Sequence, residues 1–116
     1  MAFKLGDVEG TLATAQAMSA DRNHDIDVSN YEYVGIGIIW TGANQTDGTA
    51  TIYGSILSTG TDFDTYPNSA QNLNAAAGVR WWDIHTRSLG QIRIAFGHGT
   101  ASAGTYSIVY RKEMPS

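Results

Sequence analysis

Strict alternation of side chains constrains this chain more than any other feature. From Tyr33 to Trp40, Val34, Ile36, Ile38 and Trp40 fall on one face, and Tyr33, Gly35, Gly37 and Ile39 on the other. Gln91 to Phe96 repeats the pattern, with Ile92, Ile94 and Phe96 opposed to Gln91 and Arg93. Thr105 to Lys112 sets Tyr106, Ile108 and Tyr110 against Ser107, Val109 and Arg111. A strand sends successive side chains to opposite faces, and β-branched and aromatic residues suit a pleated surface. The two glycines on one face of the first run mark a curved strand, or a place where a backbone or a bulky ring comes close.

Further runs extend the pattern. Ile26 and Val28 alternate with Asp25 and Asp27. Ile52 and Ile56 share a face within Thr49 to Leu57, and Val79 to His85 reads as another strand. Between the runs lie turn signals such as Asp47-Gly48 and Gly60, and the polar stretch from Ser58 to Asn74 holds one short strand near Phe63 and Tyr66. Gly, Ala, Thr and Ser supply 48 of the 116 residues, which suits short strands joined by many turns. The predicted fold is an all-β antiparallel β-sandwich or jelly roll of about seven to eight strands. Its expected core is Val34, Ile36, Ile38, Trp40, Ile52, Ile56, Trp82, Ile84, Ile92, Ile94, Phe96, Ile108 and Tyr110. Residues 1–22 read as an N-terminal arm or edge strand, and residues 23–116 as the sandwich domain. Trp81 and Trp82 are adjacent, so one of them faces away from the core and is a candidate contact residue.

Composition narrows the function. The chain has no cysteine, so disulfides, thiolate metal sites and cysteine nucleophiles are excluded. No apolar run approaches the roughly 20 residues that span a bilayer, so no membrane partner is expected. The first residues lack the features of a secretory leader, and folding in a reducing cytoplasm is expected. The net charge of −4 argues against a nucleic-acid partner, which needs a basic footprint. Residues 1–75 carry two basic and nine acidic side chains, and residues 76–116 five basic and two acidic.

Candidate chemistry is sparse. Asp83 and His85 share a strand face, yet no nucleophile stands in a recognisable elbow, so a surface polar pair is the better reading. Asp21, Asn23, Asp25, Asp27, Ser29 and Glu32 copy the ligand spacing of a calcium loop. Ile26 occupies the position that needs glycine, and the flanking segment is a strand, so metal binding is not expected. Gly35, Gly37 and Gly42 lack dinucleotide spacing, and Asn44-Gln45-Thr46 is a glycosylation sequon in a loop. Trp40, Trp81 and Tyr53 could form a sugar-stacking platform, although core or interface aromatics are the simpler reading. No catalytic residue and no cofactor is assigned, and the chain is expected not to be an enzyme.

Several segments resemble the small β-sandwich proteins of tailed-phage virions. They are Tyr33-Val34 through Trp40-Thr41-Gly42, Gly48 through Tyr53-Gly54-Ser55, Leu89 through Phe96, and Gly99 through Tyr110. The likeness spans residues 24–112, with Leu89 standing where an aromatic is common. It implies a structural virion component, foremost a capsid decoration (cement) protein that binds and stabilises the shell. Its partners would be the major capsid protein and further copies of itself, in a closed homo-oligomer such as a trimer. The neighbouring role is a tail or head-fibre module that binds a host surface carbohydrate or receptor. Under this reading the protein resides in the virion. Its contacts come from Phe3, Leu5, Leu12 and Met18 of the N-terminal segment and from whichever of Trp81 and Trp82 faces outward.

Overall fold

The computed structural model describes residues 8–114. Nine strands run in order: β1 (Val8–Ala17), β2 (Arg22–Asp27), β3 (Tyr33–Thr41), β4 (Gly48–Ser55), β5 (Asp64–Thr65), β6 (Gln71–Leu73), β7 (Gly78–His85), β8 (Gln91–Gly97) and β9 (Thr105–Glu113). Two antiparallel sheets face each other. The first has the order β1-β9-β3-β7. The second has the order β2-β8-β4-β5, with β6 also paired to β4. The fold is an all-β sandwich, and no helix occurs among the described residues. The polar stretch read as holding one short strand holds two: β5, between Phe63 and Tyr66 as expected, and the additional three-residue β6.

Alternation becomes burial. On β3, Val34, Ile36, Ile38 and Trp40 are buried, as are Ile92, Ile94 and Phe96 on β8. Each fully buried side chain of this size contributes roughly 1.5–3 kcal/mol. Buried polar tips find partners: Trp40 Nε1 donates to the Ala75 carbonyl at 2.9 Å, and Trp82 Nε1 to that of Ser69 at 2.6 Å. The Ser69 hydroxyl accepts from Ile52 N and donates to Ile52 O, which fastens the loop before β6 onto β4.

Two expected core positions differ. Ile56 is 62% exposed. Strand β4 ends at Ser55, and the Asp62 carboxylate accepts from the Ser55 hydroxyl and from the Ile56 and Leu57 amides, so the chain turns before Ile56 can reach inward. Tyr110 is half-buried at the margin of the sandwich, its ring lying over Gly10, where a Cβ would come within 2.5 Å of the phenol oxygen. Tyr106, absent from the expected core, is buried and stacks on Phe96 at 4.2 Å between ring centroids.

Tyr106 also reaches His24 on β2, with its hydroxyl 2.7 Å from Nε2, and so links the two sheets. Burial pushes the phenol up to about 12. Burial, and secondarily Arg22, lowers the His24 pKa from 6.5, while Asp25 pulls the other way. The unfolded chain therefore takes up the His24 proton more readily than the folded one. The stability that neutral His24 contributes is complete above pH 6.5 and is lost as the pH falls below it. Asp21, Asp27, Asp47 and Asp62 all lie below their ordinary 3.8, each chiefly because it accepts hydrogen bonds, so their contribution is complete above 3.8 and fails in stronger acid. Urea midpoints should thus fall in two stages on acidification. His24→Gln should flatten the first stage and leave the second; a wild-type midpoint constant from about pH 7 to about pH 5 would contradict this.

Candidate binding face

The outer face of the first sheet is built by register. Gly37 pairs with Trp81 on one side and Val109 on the other, and Val109 pairs with Thr11. One row along, Gly35 lies between Asp83 and Arg111, and Arg111 pairs with Glu9. Residues paired across antiparallel strands share a face. The central strand therefore offers two bare positions between a tryptophan wall and the side chains of β9 and β1. The result is an open trough of about 590 Å³. Further along the same face of β3 lie Tyr33, stacked on His85 at 4.9 Å between ring centroids, and Ile39. Trp81 is 72% exposed, and Tyr33, Ile39 and Val79 are exposed around it.

The floor is bare without structural need at Gly35. A Cβ there would meet nothing nearer than the Trp82 carbonyl oxygen at 4.0 Å, an ordinary contact. At Gly37 a Cβ would press on Val109 Cγ2 at 3.2 Å.

A second apolar feature lies at the corner where β4 ends. Ile56 and Leu57 are 62% and 51% exposed beside Tyr66, Pro67 and Leu89, which line a cleft of about 290 Å³ with Ile56. Asp62 holds this turn by its three hydrogen bonds.

The structure distributes the contact residues read from the sequence. Met18 and Trp82 are 2% and 6% exposed and belong to the chain's own core, and Leu12 packs against that core. Trp81 is the outward tryptophan. Phe3 and Leu5 lie outside the described residues. The sugar platform of Trp40, Trp81 and Tyr53 does not assemble: Trp40 is buried between the sheets, and Tyr53 sits on the second sheet. The acidic run separates as well. Asp25 holds Arg93 at 2.7 and 3.0 Å, Asp27 accepts from Ser29 N, and Asp21 holds His98 at 2.5 Å. The Gly35 trough and the Ile56–Leu57 corner were missed. The paired glycines were a legible sign of the trough, but the register that puts Trp81 beside them was not.

Fold and face together define an all-β sandwich with an open, aromatic-walled trough on one sheet. No family model matches the chain, and no curated protein matches it. Solved structures do share the fold. A chain from work described as "Bacillus endospore appendages form a novel family of disulfide-linked pili" superposes with a TM-score of 0.53 at 13% identity, over 94% of this chain and 89% of that one. A chain described under "CBM4 structure and function" gives 0.50 at 14% identity, over 97% and 71%. The enzymatically active domain of tailspike protein 4 of bacteriophage CBA120 gives 0.50 at 12% identity, over 92% of this chain but 19% of that one. At such identities the likeness is one of fold.

Proposed function

We propose that the chain is a non-enzymatic structural module of a phage virion, acting as a decoration protein on the major capsid protein. The observation that carries this reading is the Ile56–Leu57 corner. Two large aliphatic side chains stand exposed side by side on a turn pinned by Asp62. Burying such a pair against a partner removes apolar area from water at little entropic cost, because the turn is already fixed. The same corner repeated around a shell adds through multivalency. The fold is shared with an appendage-forming pilus chain and a phage tailspike domain, which supports a structural role.

Cosedimentation with purified empty shells tests it. The wild-type chain should saturate the shells. Ile56→Ser combined with Leu57→Ser should weaken binding by at least about tenfold, as expected for loss of two anchoring side chains at an interface. Its melting temperature should hold, since both residues are exposed. Deleting residues 1–7, which carry Phe3 and Leu5, should weaken binding further if the terminal segment adds a contact. Equal occupancy by the double variant, or no wild-type binding, would count against the reading.

A further inference from the structure

We propose that the trough over Gly35 and Gly37 is a binding site for a neutral pyranose oligosaccharide, stacked on the indole of Trp81. The inference goes beyond shell docking and uses a different face of the molecule. It starts from a cost without a structural return. Glycine in a strand is less favourable than alanine through backbone entropy. At Gly35 no neighbour forbids a side chain, since a Cβ would meet only the Trp82 carbonyl oxygen at 4.0 Å. What the missing side chain provides is space, in a trough of about 590 Å³ that opens to solvent beside Trp81.

The chemistry of the walls selects the occupant. A pyranose of gluco or galacto configuration turns axial C–H bonds to one side of its ring, and that side packs on an aromatic face through dispersion and weak C–H contacts. Its hydroxyls, directed outward around the ring, meet Glu9 and Thr11 in the trough and Asp83, which pairs with Gly35 on the same face. Glu9 and Asp83 are exposed, so they can accept from hydroxyls at the rim while keeping water. A protein covering the same area would have to desolvate both carboxylates, and charged groups are depleted at the centres of protein interfaces. Glu9, Asp83 and Glu113 against Arg111 leave the formal charge of this face at −2, which disfavours acidic sugars. The trough lies within the outer face of β3, which from Tyr33 to Ile39 runs about 20 Å at the rise of a strand, room for a short oligosaccharide to extend past the trough.

The test is a printed array of neutral and acidic oligosaccharides, followed by titration calorimetry with whichever neutral oligosaccharide binds. Two variants accompany the wild type. Gly35→Val fills the floor with a side chain suited to strands, and Trp81→Ala removes the wall at an exposed position. The expected result is wild-type binding to a neutral oligosaccharide in preference to its acidic counterpart, weakened at least tenfold in each variant, with melting temperatures close to wild type. Should Gly35→Val fail to fold, the Trp81→Ala titration decides alone. The proposal is overturned if no neutral oligosaccharide binds at millimolar concentration, or if Trp81→Ala or a folded Gly35→Val binds as well as wild type. It is overturned equally if no sugar binds and sedimentation shows a dimer that Gly35→Val disperses, which would make the face an interface between copies.

Discussion

Trp40→Ala is expected to destabilise the fold by about 3–5 kcal/mol, the range for emptying a buried aromatic site. The indole is 2% exposed and belongs to the core between the sheets. Its Nε1 donates to the Ala75 carbonyl at 2.9 Å, which ties β3 to the loop before β7. Gly78 closes against the ring, where a Cβ would lie 2.9 Å from Cη2, and the Arg80 guanidinium sits 5.5 Å from the ring centroid. Alanine would leave a cavity, orphan the Ala75 carbonyl and remove the surface on which Arg80 rests. Each acts in the same direction. Against a total stability of about 5–15 kcal/mol, the loss brings the domain close to unfolding. At about 4 °C per kcal/mol for a domain of this size, the melting temperature should fall by about 12–20 °C. Trp81→Ala is the control: the side chain is 72% exposed, and its loss should move stability by less than about 1 kcal/mol. Denaturant melts in which both variants lose the same amount would mean that the two indoles are not placed as described.

That contrast also shows how far the sequence carries. Alternation assigned the strands and most of the inward faces, because period two is a local property of the backbone. It put Trp82 in the core with Ile84 but left open which tryptophan serves as the outward contact; the pairing of β7 with β3, where Ile36 meets Trp82 and Gly37 meets Trp81, sets Trp81 beside the glycines. Ile56 was misplaced for a related reason. The alternation of β4 continues through it in the sequence, but Asp62, six residues on, captures the Ile56 amide and turns the chain. Tyr106 was left out although it shares a face with Ile108, and the partner for its buried hydroxyl, His24, lies 82 residues away. The trough was half legible. Gly35 and Gly37 on one face could be read, but the tryptophan wall and the β1 side chains come from strands distant in the chain. Long-range register decides such features, and one sequence carries no direct signal of it.

Glycines test the same logic with opposite signs. Gly90, just before β8, is enclosed by the turn after β4: a Cβ would lie 2.5 Å from Ser58 N and 2.7 Å from Leu57 C. These are backbone atoms and cannot swing aside as a side-chain tip could. Gly90 N also donates to the Ser55 carbonyl at 2.9 Å, and its own carbonyl accepts from Val28 N at 3.0 Å and from the Ser29 hydroxyl. A shift that relieves the clash must therefore strain three hydrogen bonds that join the ends of β2, β4 and β8. Gly90→Ala is expected to destabilise at or above the upper end of the roughly 1–3 kcal/mol typical of overpacking. The turn that presents Ile56 and Leu57 should loosen with it, because Leu57 and Ser58 are the segment displaced. Gly35→Ala should do the reverse. Nothing opposes its methyl group, and alanine gives up less backbone entropy, so stability should hold or rise by about 0.5–1 kcal/mol. Urea unfolding of the two variants beside wild type reads both signs in one experiment. Hydrogen exchange at the Leu57 and Gly60 amides would show whether the corner opens in Gly90→Ala, Gly60 N donating to the Leu57 carbonyl at 3.0 Å. A Gly90→Ala protein as stable as wild type would mean that the turn does not press on β8 as the structure has it. A Gly35→Ala protein clearly less stable would mean that the floor of the trough is bare because the fold requires it, and the case for a ligand there would lose its first premise.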